Sequence, residues 1–90
     1  HVREYDVVAI VHEYDENTQL ALCKQRNKFV KGDKVEILSP DSVGESFIVE
    51  ELYNEEGELI DGCPHPGMMC KVKIPFKVGK NTFIRKELIK

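Results

Sequence analysis

Hydrophobic and polar positions along this chain alternate with period two in most segments, and no stretch sustains the 3.6-residue period of an amphipathic helix. Val7, Val8, Ala9, Ile10 and Val11 form an unbroken β-branched and apolar run, which predicts a strand buried on both faces or at a barrel seam. The polar stretch YDENTQ, residues 14–19, turns the chain. LALCKQ then reads as the return strand of a hairpin, with Ala21, Cys23 and Gln25 in one phase and Leu20, Leu22 and Lys24 in the other. Lys31-Gly32-Asp33 predicts a turn into a strand over Lys34 to Leu38, where Val35 and Ile37 share a face. SFIVEELYN sets Phe47, Val49 and Glu51 against Ile48, Glu50 and Leu52. NEEGELID is a further hairpin signal centred on Glu56-Gly57. CKVKIPF places Cys70, Val72 and Ile74 on an apolar face and Lys71 and Lys73 on a basic one; Val78 to Asn81 turns, and TFIRKEL closes the chain.

Six or seven short strands in 90 residues predict an all-β domain, a small closed or nearly closed barrel that hides its sheet edges. Residues 39–46 and 62–69 are expected to be the longest irregular loops. The chain is long enough for one core only, so residues 1–90 are read as a single domain. It begins at His1 without an initiator methionine or an apolar leader, which reads as a domain excised from the C-terminus of a larger protein.

Charge changes this picture more than composition does. A net charge of −3 hides strong segregation: residues 24–36 carry five bases against two acids, residues 41–61 eight acids and no base, and residues 71–90 seven bases against Glu87. Such a chain can present a basic face despite its acidic total, or neutralise itself where acidic and basic strands pair. Lys24, Arg26, Lys28, Lys31 and Lys34 surround Phe29, while Lys71, Lys73, Lys77, Lys80, Arg85 and Lys86 surround Phe76 and Phe83. Bases interleaved with aromatic rings are what a groove needs to track a phosphate backbone and stack bases, so RNA is a candidate partner. No apolar run approaches the roughly 20 residues that span a bilayer, and a membrane role is not expected. Three cysteines are an odd number, too few for a disulfide framework; reduced thiols and a cytoplasmic setting are the simplest expectation.

The stretch DGCPHPGMMC, residues 61–70, raises the question of a metal. A closed zinc site takes four Cys or His ligands, usually as two close pairs. Cys63 and His65 make one such pair; Cys70 lies on a predicted strand, Cys23 on a distant hairpin, and no second close pair exists. A small metal module built on Cys63, His65 and Cys70 is therefore the weaker alternative. The favoured reading is a stiff connector: Pro64 and Pro66 fix the backbone around His65, and Gly67 lets the chain swing into the next strand. Met68 and Met69 fill core or rim. No nucleophile elbow, zinc-protease helix, phosphate loop or dinucleotide fingerprint occurs, and YDENTQ is too short for a calcium loop. Neither a catalytic constellation nor a cofactor is expected.

QRNKFVKGDKVEI, residues 25–37, resembles the C-terminal domain of the U32 peptidase family, together with EYDVVAIVHEYDENTQLALC before it and DGCPHPGMMCKVKIP after it. The likeness runs from about Tyr5 to Lys86 and is most specific at Arg26-Asn27-Lys28-Phe29, Gly32-Asp33, Glu36 and Pro64-His65-Pro66. It implies a small β-barrel similar to the second domain of elongation factor Tu and related translation factors, appended behind an N-terminal catalytic domain that would be its partner. Family members are named as proteases, some as collagenases, and others are associated with hydroxylation of RNA bases. On that resemblance the domain is a non-catalytic accessory module whose substrate is RNA or polypeptide. Asn27 would support a turn or bulge, Phe29 would plug the barrel, and Gly32-Asp33 would turn tightly. Arg26, Asn27, Lys28 and His65 form the expected contact surface, with Lys71, Lys73 and Arg85 as further contributors. Cys63 departs from the family's pattern before Pro-His-Pro, which argues against a metal there as a family property.

Overall fold

The computed structural model of the chain describes residues 4–39 and 43–88. Nine strands follow one another: β1 (Glu4–Asp15), β2 (Leu20–Gln25), β3 (Phe29–Val30), β4 (Lys34–Leu38), β5 (Val43–Ile48), β6 (Leu52–Asn54), β7 (Gly62–Cys63), β8 (Met69–Lys73) and β9 (Phe83–Leu88). Seven of them form one antiparallel sheet in the order β5-β4-β9-β1-β2-β8-β6, and β3 pairs separately with β7. No helix occurs among the described residues, so none is available to cross a membrane. The all-β reading holds: the sheet curls into a half-barrel around a core of buried β-branched, aromatic and thiol side chains.

The curl has an identifiable cause. Strand β1 is twelve residues long and serves as the spine, pairing β9 on one side and β2 on the other. Its register slips against β9 between Val7 and Ala9, and against β2 between Val11 and Glu13. Each extra residue bends the strand and increases its twist, so two bulges on one spine roll the flat sheet toward a barrel. The open side is spanned by the chain itself. Between β5 and β6, Val49 exchanges hydrogen bonds with Gly32 and Asp33 (2.8 and 2.9 Å), and Glu51 O accepts from Lys73 N at 3.1 Å. One three-residue crossing thus ties the β4 end of the sheet to the β8 end.

Alternation placed the inner face well. Val35, Ile37, Cys70, Val72 and Ile74 are all buried, as are Ala21, Cys23 and Gln25. Phe29 is buried to 1% exposure and plugs the barrel beside β7, while Phe47 packs edge-on against Phe76 with centroids 5.8 Å apart.

Four expectations are corrected. Val7 and Ile10 are only half-buried, because the bulge at Val8 turns Val8, Ala9 and Val11 inward and leaves their neighbours on the outer face. Residues 39–46 are not all loop: Val43 already pairs with Leu38 and Ser46 with Glu36, whereas positions 40–42 lie outside the described residues. Leu52 does not share the phase of Ile48; the break at residues 49–51 resets the strand and returns Leu52 to the core. Gly62 and Cys63 likewise pair with Val30 and Phe29 where an irregular loop was expected over residues 62–69, since two residues are too few to show a period.

Candidate nucleic-acid interface

Two loops meet at one end of the half-barrel, and a buried glutamine joins them. Gln25 ends β2, and its backbone N donates to Met68 O at 2.8 Å while its carbonyl accepts from Gly67 N at 3.0 Å. Its side chain, 1% exposed, donates from Nε2 to Cys63 O at 2.7 Å. The Pro64-His65-Pro66-Gly67 turn is therefore fastened at both ends to the residue that precedes Arg26. Gly67 has φ of +77°, a conformation that a side chain strains, and its turn is closed by Met68 N donating to His65 O at 3.1 Å. Beneath it, Phe29 stands opposite Cys63 and Val30 opposite Gly62. A Cβ at Gly62 would lie 3.0 Å from Val30 Cγ1 and 3.3 Å from Phe29 O, so the close β3–β7 approach depends on that glycine.

Residues 26–28 are held from the other side by the spine. The β1–β2 register continues one step past Ala9 and Gln25, so the Val8 carbonyl accepts from Arg26 N at 2.7 Å and also from Asn27 N at 3.3 Å; Asn27 Nδ2 donates to Val7 O at 2.8 Å. Asn27 is thus a backbone support, as its residue type predicts. Asp33 closes the following turn by accepting from Val30 N at 2.9 Å through Oδ2.

This framework leaves Lys24, Arg26, Lys28, Lys31 and His65 exposed around one end of the molecule. No ion pair among the described residues engages any of them. Lys24 lies close to the turn: its Cε is 3.8 Å from where a Cβ on Gly67 would stand. The bonds of Gln25 to Cys63, Gly67 and Met68 set the segment that holds Arg26, Asn27 and Lys28 beside the turn that holds His65. Lys24 and Lys31, read from the sequence as part of the basic cluster around Phe29, join the site; Gln25 joins it without having been singled out, and its buried phase, shared with Ala21 and Cys23, was the available signal.

The other predicted contributors lie elsewhere. Lys71 and Lys73 stand on the outer face of β8, opposite Leu22 and Leu20, and Lys73 is 3.9 Å from Glu51. Arg85 is already occupied: Nε donates to Glu36 Oε1 at 2.8 Å, NH2 reaches the same oxygen, and the guanidinium sits 3.9 Å from the Tyr5 ring centroid. Lys86 pairs with Asp33 at 3.2 Å. Acidic and basic strands do neutralise one another here.

The three cysteines, free and fully buried, gather under the loop end. Cys23 does not need to arrive from a distance, because β2 pairs β8 and sets it directly opposite Cys70. Burial, with Cys63 beside it, pushes the Cys23 thiol up to about 12. Cys70 donates to Cys63, and that bond together with burial holds its own pKa well above the thiol range. The set Cys63, His65 and Cys70 is divided by the fold, with two thiols in the core and the imidazole at the surface. Among the described residues no three Cys, His, Asp or Glu side chains stand in an arrangement that could hold a metal ion.

The fold and site define a small all-β barrel whose loop-built end is cationic. Residues 3–85 match the family model described as the Peptidase family U32 C-terminal domain, and the chain belongs to that family. It is 37% identical over 82 residues to the tRNA hydroxylation protein P1 of Bacillus subtilis (strain 168). That match covers 91% of this chain but 19% of the relative, so the chain spans about a fifth of the curated protein it resembles. Two crystal structures of the C-terminal domain of a Geobacillus thermoleovorans protein described as a U32 peptidase superpose closely. The selenomethionine form gives a TM-score of 0.85 at 30% identity, covering 90% of this chain and 99% of that one. The other gives 0.86 at 30%, covering 92% and 93%.

Proposed function

We propose that this barrel is a non-catalytic accessory domain that holds an RNA substrate, of the transfer RNA class, for a catalytic domain of the same protein. The observation that carries the reading is the rigid end built by Gln25, where Lys24, Arg26, Lys28, Lys31 and His65 project with no acid paired to them among the described residues. Four cationic side chains and an imidazole on a fixed frame suit a polyanion, and phosphate contacts supply most of the affinity of such modules. The likeness to a tRNA hydroxylation protein supports the same choice over a polypeptide substrate.

The test is a titration of the 90-residue chain with transfer RNA over a series of salt concentrations. The reading expects log Kd to rise linearly with log salt, each phosphate contact adding about 0.7–0.9 to the slope. Salt-independent binding, or none, would contradict it. Catalytic conversion of RNA or peptide by the isolated chain would contradict the accessory role.

A further inference from the structure

The outer face of the sheet carries an apolar row that the core does not use. Leu38, Phe83, Ile10, Lys24 and Met69 stand directly opposite one another across β4, β9, β1, β2 and β8. Leu38, Ile10 and Met69 are half-exposed, and Phe83, 40% exposed, is the only exposed aromatic ring among the described residues. The row is continuous with the cationic end through Lys24, which belongs to both: it stands opposite Ile10 and lies against the Pro-His-Pro-Gly turn.

We propose that Phe83 is a stacking platform for an unpaired nucleotide of the RNA whose phosphates lie on the loop end. This rests on the RNA reading above and adds the class of RNA: a loop or single strand, not a continuous duplex. An exposed ring with apolar shoulders, here Ile10 and Leu38, accepts the flat face of a base, and a neighbouring cation neutralises the phosphate that follows it. A duplex buries those base faces in its own stack and offers nothing to the ring. Charge distinguishes this occupant from a protein, because the fully buried centre of a protein interface is depleted of charged residues and Lys24 stands between Ile10 and Met69.

The test compares two RNAs of equal length, a hairpin with an unpaired loop and a fully paired duplex, on the wild-type chain and on Phe83→Ala, Phe83→Leu and Phe83→Tyr. Related domains crystallise as isolated chains, so the 90 residues are the proper object. Wild type should prefer the hairpin. Phe83→Ala and Phe83→Leu should weaken hairpin binding by about fivefold or more and leave duplex binding unchanged, while Phe83→Tyr keeps the preference. Phe83→Leu retains bulk, so it decides the matter if the alanine variant unfolds. Equal affinity for the two RNAs, or hairpin binding indifferent to loss of the ring, overturns the proposal and leaves the row as a protein contact. Failure of the wild type to bind either RNA would overturn the RNA reading itself.

Discussion

Two groups of cations sit on this small barrel, and they differ in what the fold has done with them. On β9, Arg85 and Lys86 are tied to Glu36 and Asp33, and Arg85 is stacked on Tyr5. At the loop end, Lys24, Arg26, Lys28 and Lys31 face solvent with no paired acid among the described residues, although the backbone beneath them is fixed by Gln25, Asn27 and the Val8 carbonyl. The first group is paired within the sheet, across β4 and β9. The second has no ion pair among the described residues. Charge counts along the sequence rank residues 71–90 as the more basic segment, yet Arg85 and Lys86 of that segment are paired, because Glu36 and Arg85 meet across 49 residues of chain.

The comparison can be broken at its foundation by removing the plug under the loop end. Phe29→Ala should cost about 3–5 kcal/mol, read as a lower midpoint in urea unfolding, and should release both loops at once. A shift below about 1 kcal/mol would mean that the loop end is not built on β3.

Alkaline pH probes the thiols beneath the same end. Burial raises Cys23 from 9.0 to about 12, so above pH 9 the unfolded chain loses a proton there that the folded chain keeps, while the bond from Cys70 to Cys63 raises one thiol and lowers the other. Stability is then fully present below pH 9 and falls as pH climbs toward 12, by at most about 1.4 kcal/mol per pH unit for one thiol. Melting temperature against pH checks this, and Cys23→Ala should flatten the decline. Hydrogen exchange should accelerate at Gly67 and Gln25 before it does across β4 and β9.

Smaller effects sharpen the contrast. Gln25→Ala strands Cys63 O without its donor and should cost about 1–3 kcal/mol. Arg85→Ala removes a half-buried pair and a ring contact; about 1–2 kcal/mol of stability should be lost, with RNA affinity kept within about twofold. An Arg85→Ala variant that folds as well as wild type but loses RNA would reverse the roles assigned to the two groups.

Much of the fold was legible because half-buried strands write their pattern locally. Val35 and Ile37, or Cys70, Val72 and Ile74, announce an inner face by alternation alone, and Gly32, Gly57 and Gly67 mark turns by needing positive φ. What the sequence hid is long-range. Nothing near Cys23 says that its strand will lie against Cys70, and nothing in Phe29-Val30 says that two residues will pair with Gly62-Cys63. The candidate site was half legible for the same reason. The residues Arg26, Asn27, Lys28 and His65 stand out by type and by family likeness, but their meeting depends on Gln25, and the neutralisation of Arg85 depends on Glu36.

The most direct test sets the two groups side by side in one titration. Arg26→Ala with Lys28→Ala on one chain, and Arg85→Ala on another, are bound to transfer RNA from low to moderate salt. The double variant should fold within about 0.5 kcal/mol of wild type, since both side chains are exposed. Its log Kd against log salt should lose about 1.4–1.8 from the slope while Arg85→Ala keeps the wild-type slope. Equal slopes for all three chains, or a loss confined to Arg85→Ala, would contradict the central claim that the loop end is where this domain meets its partner.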